Sequence, residues 1–227
     1  MPFPQVDRIE SHSFLAERLA SESVIVDLGT NRGLFAMAMI ERYGCRVFGV
    51  EPVPALVAAM PRHDRFKLTE AAIAAQTGPM LLSVNPSSCA SATFSEDGAE
   101  AVPVIGIMLR SLLQELGLTR VDLLKVDIEG AELGLFESCT EEDLSGVQQI
   151  TVEFHDFIDA MLGPAVVACI ARLESMGYRR ITFSLDNTDV LFVRPYVGLP
   201  IAFEPYVVVR YKYLRGILRR VRRLLKR

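Results

Sequence analysis

The sequence predicts an α/β domain with a doubly wound, Rossmann-like, mostly parallel sheet. Three observations predict it. Short apolar runs alternate with helix-length amphipathic runs along most of the chain, the pattern of a parallel sheet crossed by helices. Two of the apolar runs, "SVIVDLG" and "CRVFGVE", end in an acid, where strands of such folds open onto a ligand crevice. The chain has 227 residues, half of them apolar, enough for one large core. The expected organisation is an N-terminal helix within residues 1–21, a domain over 22–194, and a C-terminal extension over 195–227.

The elements follow in order. Residues 7–20 are expected as an amphipathic helix with Ile9, Phe14, Leu15 and Leu19 on its apolar side. "SVIVDLG" is a first strand. "LFAMAMIERYG" is a helix closed by Gly44, and "CRVFGVE" is the next strand. "PALVAAM" starts a helix with proline in its first turn, and "RFKLTEAAIA" is a third strand region. "MLLSVN" and "AVPVIGI" are strands around a polar loop, residues 85–100. "LRSLLQELG" is a helix, "VDLLKVDIEG" a strand and "AELGLFES" a helix. "VQQITVEFH" is a strand, "AVVACIARLESMG" a helix, and "RRITFS" with "DVLFVR" a closing antiparallel pair.

Composition removes several classes. The start, "MPFPQVDRIESHS", is not that of a secretory signal. No run of about 18 apolar residues exists for a membrane-spanning helix. The cysteines, at 45, 89, 139 and 169, have no metal-site spacing, which suits a reduced, cytoplasmic protein. The net charge of −4 conceals an asymmetry: residues 210–227 hold 9 of the 24 Lys and Arg and no acid, leaving 15 basic against 28 acidic groups in the rest.

"VIVDLGTNRGLF" sets Asp27, Gly29, Thr30, Asn31 and Gly33 between a strand and a helix. Glycines let the backbone turn sharply there and approach a ligand. The G-x-G-x-x-G spacing of a pyrophosphate cradle is missing. An acid precedes the first glycine and would suit a cationic group such as an α-amino group. Glu51 ends the next strand, followed by Pro52, where an acid can accept hydrogen bonds from ribose hydroxyls. Together these features suit S-adenosylmethionine.

"VIVDLGTNRGLFAMAMIERYGCRVFGVEP" resembles motif I and the acidic strand of class I methyltransferases. "VDLLKVDIEGAELGLFE" closely resembles the signature of the FkbM family of S-adenosylmethionine-dependent methyltransferases. "AAIAAQTGPMLLSV", which contains Ala72, and "ITVEFHDF" are similar to that family's middle hairpin and fifth strand. The resemblance runs from about residue 22 to 194. Asn31 stands where the general motif has its middle glycine, and "VPVIGIMLRSLL" lacks the family's "TLD". The resemblance implies O-methylation, often of sugars or natural products, and cofactor contacts from Asp27, Gly29, Thr30, Asn31, Gly33, Glu51, Pro52 and Ala72.

The segment "KVDIEGAE" loads a strand end with charge. Period-2 alternation puts Lys125 and Asp127 on one strand face, so a Lys–Asp pair is expected at the crevice rim. Glu129 borders the same crevice, while Glu132 complements a helix dipole. "VEFHDF" brings Glu153 and His155, with Asp156 next in sequence. An alcohol acceptor must lose its proton to attack the methyl group, so Asp127, Glu153, His155 and Lys125 are the candidate catalytic groups. A divalent metal held by Asp127, Glu153 or His155 could do the same work. His12 and His63 are expected at the surface.

"YLRGILRRVRRLLKR" carries apolar residues at helical spacing among seven cations. This basic amphipathic helix suits an anionic membrane surface; docking on the acidic body or a homo-oligomer contact competes. Nucleic-acid binding is not expected, for want of interleaved aromatics. The function expected is O-methylation of a hydroxyl on a saccharide or lipid-linked acceptor. A nicotinamide-dependent oxidoreductase and a non-catalytic membrane adaptor are the rivals.

Overall fold

The computed structural model describes residues 5–84, 91–92, 100–155, 160–184 and 186–195. The expected basic helix, the polar loop over 85–100 apart from residues 91, 92 and 100, and Asp156 lie outside the described residues.

The central sheet follows the expected alternation. Strands β3 (Val24–Leu28), β4 (Arg46–Val50) and β5 (Phe66–Thr69) run parallel on one side. Strands β10 (Leu123–Val126) and β11 (Gln149–Val152) run parallel on the other. The antiparallel pair β12 (Arg179–Thr182) and β13 (Val190–Val193) closes that edge, giving the order β12-β13-β11-β10-β3-β4-β5. The chain turns from one direction of winding to the other between β3 and β10. A crevice therefore opens above the carboxyl ends of these two strands.

Helices cover both faces. Helix α1 (Leu34–Tyr43) is ended by Gly44 in the left-handed conformation, φ +68°. It packs Phe35, Ala36, Met39 and Ile40 against Ile25, Val47 and Leu123. Helices α3 (Leu109–Glu115), α4 (Glu132–Ser138) and α5 (Gly163–Ser175) bury Leu112, Phe136 and Leu173 against Val26, Leu124 and Ile150 on the opposite face. A second sheet, β6 (Ala72–Ile73), β7 (Gly78–Val84), β8 (Ser91–Ala92) and β9 (Glu100–Ile107), has the order β6-β9-β7-β8. It joins the short helix α2 (Pro54–Ala59) through Val53, Leu56, Leu82 and Val84.

The N-terminal helix is a correction. Residues 6–15 form a β-hairpin, β1 (Val6–Ile9) with β2 (His12–Leu15), and one turn of tight helix follows at Ala16–Arg18. Glu10 and Ser11 alone make the turn, with Glu10 at φ +52°. Phe14 and Leu15 are both fully buried, so successive side chains are enclosed on both sides.

Candidate active site

The motif I loop is built by close backbone packing. A Cβ on Gly29 would stand 1.7 Å from the carbonyl oxygen of Asp127, and Gly29 has φ +75°. Only glycine lets the loop pass this close to the end of β10. The Thr30 hydroxyl donates to the Asp27 carbonyl at 2.9 Å, and Gly33 leads into α1 at φ +77°. Glu51 is 4% exposed. Its two carboxylate oxygens accept the Asn31 N–H at 2.8 Å and the Val53 N–H at 2.9 Å. Burial pushes its pKa up, against the pull of these two amides. Each oxygen retains lone-pair capacity toward the crevice, as ribose recognition needs.

One crevice joins the two halves of the sequence pattern. Gly29, Asn31, Glu51, Pro52 and Ala72 line it together with Asp127, Ile128 and Glu129 and with Met80 and Leu82 of β7. Of the eight candidate cofactor residues, Asp27, Thr30 and Gly33 do not line it. Asp27 is fully buried, and its Oδ1 lies 3.1 Å from the Lys125 ammonium. That ammonium takes the place of the amino group expected to face Asp27.

The expected pair of Lys125 and Asp127 forms, with Lys125 buried below the rim rather than at it. Lys125 is 3% exposed. Its ammonium donates to the Gly29 carbonyl at 2.6 Å and lies 3.5 Å from Asp127 Oδ2. Burial pulls the Lys125 pKa down, but Asp27 and Asp127 outweigh it and hold the group cationic. Lys125 ties the loop to the strand and is shielded from the crevice.

Asp127 is held from several sides. His12 Nε2 lies 3.4 Å from its Oδ2 and His155 Nε2 lies 3.8 Å from its Oδ1. Burial works to raise its pKa. The His12 hydrogen bond and the Lys125, His12 and His155 charges overcome this and hold it well below the usual carboxylate range. His12, expected at the surface, is instead 1% exposed. His63, as expected, is exposed.

His155 sits among carboxylates. Its Nδ1 is 2.9 Å from Glu132 Oε1 and its Nε2 3.3 Å from Glu129 Oε2. Burial opposes its protonation. The hydrogen bond to Glu132 and the charges of Glu132, Glu129 and Asp127 prevail, and its pKa rises to about 9. Glu132 is 2% exposed and also accepts the N–H groups of Ile128 and Gly130. It does more than face a helix dipole: it fixes the 127–131 turn and the ring of His155. Glu129, at φ +51°, turns its carboxylate to the crevice. Burial raises its pKa; His155 opposes this, and the neighbouring acids add to it. Glu153 accepts the Ser11 hydroxyl at 2.7 Å.

The three candidate metal ligands do not form one set. Ligand atoms of His12, Asp127 and Glu153 lie within 4.8 Å of one another, as do those of Asp127, Glu129 and His155. In both sets the carboxylates already face cations or donors of the protein: Lys125, His12, His155 and Ser11.

Comparison with known proteins adds a family. Residues 27–180 match the model of the methyltransferase FkbM domain. The chain is 26% identical to the methyltransferase sdnD of Sordaria araneosa, over 63% of this chain and 70% of that protein. It is 23% identical to the 31-O-demethyl-FK506 methyltransferase FkbM of Streptomyces tacrolimicus, over 63% and 69%. Among solved structures, an rRNA methylase from Streptococcus thermophilus superposes with a TM-score of 0.49 at 10% identity, covering 80% of this chain and 92% of that one.

Proposed function

Because the chain belongs to the FkbM methyltransferase domain family of S-adenosylmethionine-dependent enzymes, we propose that it transfers the methyl group to a hydroxyl oxygen, on a saccharide or glycolipid acceptor. The observation that carries this reading is the crevice that Glu51 and Asn31 line together with Asp127 and Glu129. Glu51 suits the ribose of the cofactor. Asp127 and Glu129 offer carboxylates to an acceptor with several hydroxyls. The relative named for a 31-O-demethyl substrate supports oxygen as the acceptor atom.

Methyl transfer is an in-line displacement. The sulfonium carbon–sulfur bond breaks as the oxygen–carbon bond forms, S-adenosylhomocysteine leaves, and the hydroxyl proton passes to a base. Holding the two reactants in line supplies much of the acceleration. Asp127 is too firmly ionised to be an effective base, and His155 is already protonated at neutral pH. Glu129 is the better base: it faces the crevice, its pKa is raised, and His155 stands 3.3 Å behind it as a counter-charge. His155 then serves by orienting Glu129, and Lys125 by fixing the loop. A base of this kind is worth about 10²–10⁴-fold. No divalent ion is needed in this scheme.

The basic segment over residues 210–227 fits the same reading as a contact with the inner, anionic face of a membrane, placing the crevice beside lipid-linked acceptors. Among the described residues no helix is long and apolar enough to cross a membrane.

The test is calorimetry followed by an acceptor screen. S-adenosylhomocysteine should bind and NAD should not. Methyl-labelled cofactor should then label a hydroxyl-bearing component of a cell-envelope extract, and label transfer should survive exhaustive chelation. NAD binding without S-adenosylhomocysteine binding, or label found only on nitrogen, would refute the proposal.

A further inference from the structure

The hairpin of β1 and β2 lies outside the residues that match the family model, 27–180, yet it reaches the centre of the site. Its tip places Ser11 on Glu153 and His12 under Asp127. The imidazole of His12 is fixed at both nitrogens. The Asp127 carboxylate only accepts, so Nε2 donates to it, at 3.4 Å. The Thr151 hydroxyl lies 3.4 Å from Nδ1. Phe35 of α1 meets the ring edge-on, with centroids 5.7 Å apart and planes at 80°. The hairpin is itself anchored. Asp189 accepts the N–H and hydroxyl of Ser13 at 2.9 and 2.8 Å, and Gln149 accepts the N–H of Leu15 at 2.8 Å.

A buried histidine on this hairpin needs such a chain of partners only if its placement matters. Apolar packing alone would have been met by leucine or phenylalanine. What the chain delivers is a donor to the underside of a carboxylate whose other edge lines the crevice.

We propose that His12 is a positioning residue, which with Thr151 holds the Asp127 carboxylate toward the methyl-bearing sulfonium of the bound cofactor, so that the N-terminal hairpin is part of the active site. The inference rests on the cofactor reading above. A sulfonium carries a positive charge and the thioether of S-adenosylhomocysteine does not. The ratio of their dissociation constants therefore reports where the Asp127 charge sits, and it needs no acceptor. If the carboxylate drifts by about 1 Å from a sulfonium about 4 Å away, their attraction falls by about a fifth at the effective dielectric of a partly buried site, which weakens sulfonium binding about fourfold.

The experiment is calorimetry of the full chain with S-adenosylmethionine and with S-adenosylhomocysteine. Four variants are compared with wild type: His12→Phe, His12→Gln, Thr151→Val and Asp127→Asn. In His12→Phe the sulfonium ligand should lose about fourfold more affinity than the thioether. His12→Gln, whose amide can still donate, should restore most of the ratio. Asp127→Asn should shift the ratio at least as far as His12→Phe. Equal losses for both ligands in His12→Phe would make His12 merely structural and overturn the proposal, as would an unchanged ratio in Asp127→Asn. If His12→Phe does not fold, Thr151→Val decides: a shift in the same direction supports the proposal and a wild-type ratio overturns it. Wild type binding neither ligand would instead strike down the cofactor reading itself.

Discussion

Replacing Glu132 by Gln should flatten the dependence of stability on pH. Glu132 meets His155 Nδ1 at 2.9 Å and is the first of the groups that raise the His155 pKa from 6.5 to about 9. The folded protein thus keeps a proton that the unfolded chain releases near 6.5. This stabilisation is complete below that pH and is lost as pH rises through about 9. Between pH 6.5 and 8.5 the wild type should lose about 2 kcal/mol from this group. Burial pushes Cys45 up to about 11 and Cys139 and Cys169 up to about 12; these thiols cost stability only near the top of that window, where the unfolded thiols begin to ionise, and equally in variant and wild type. In Glu132→Gln the loss should fall to about 1 kcal/mol or less, because only Glu129 and Asp127 remain to hold the proton. Removing one partner of a buried pair should also lower stability at pH 6.5 by about 3 kcal/mol. Urea unfolding followed by circular dichroism at about pH 6.5, 7.5 and 8.5 measures both effects. The other histidines contribute equally to both proteins and cancel in the comparison. Equal slopes in variant and wild type would refute the idea that Glu132 holds the proton on His155.

Four further outcomes are expected. Glu51→Ala should weaken S-adenosylhomocysteine binding by roughly 1–3 kcal/mol in calorimetry, the scale of lost charge-assisted hydrogen bonds; unchanged affinity would remove Glu51 from the ribose. Glu129→Gln should lower kcat by about 10²–10⁴-fold, while cofactor affinity holds; His155→Ala should also lower kcat, and normal turnover in Glu129→Gln would exclude that base. Gly29→Ala should prevent folding or cofactor binding, since its Cβ would overlap the Asp127 carbonyl oxygen; circular dichroism and calorimetry report the two cases. Deleting residues 210–227 should abolish salt-sensitive sedimentation with anionic liposomes, at about 1 kcal/mol for each Lys or Arg near the surface, and spare turnover of a soluble acceptor; a change in oligomeric state instead would point to docking between copies.

The sheet is legible in the sequence because its signals are local. β3 and β4 are apolar runs ended by a glycine or an acid, and α1 carries its own stop in Gly44. The crevice is legible because strand ends and glycine turns lie together in sequence. The hairpin is not. Its turn, Glu10-Ser11, has none of the Asn or Gly that marks a two-residue loop, and Ile9, Phe14 and Leu15 also fit a helical stripe. The error displaces His12: on a helix it would be a surface residue, whereas on β2 it points to Asp127. The depth of Lys125 is hidden for another reason. Its partners Asp27 and the Gly29 carbonyl are nearly a hundred residues away, and alternation gives a face, not a depth. Glu132 looks like an ordinary first-turn acid. Nothing local says that the ring of His155 folds back against it.

The buried pair of Lys125 and Asp27 has a consequence for assembly of the sheet. These residues stand directly opposite each other where β10 pairs with β3. Apolar side chains such as Leu123, Leu124 and Val126 are near-interchangeable and would tolerate several alignments of β10. The charges would not. A slip by one residue turns the ammonium to the face packed by α3, α4 and α5. A slip by two leaves it opposite Ile25 or beyond, with Asp27 abandoned among apolar groups. A single ion pair thus rejects the misaligned sheets that greasy strands would otherwise permit. It does so at the one junction where misalignment would pull the glycine loop out of step with the acids across the crevice.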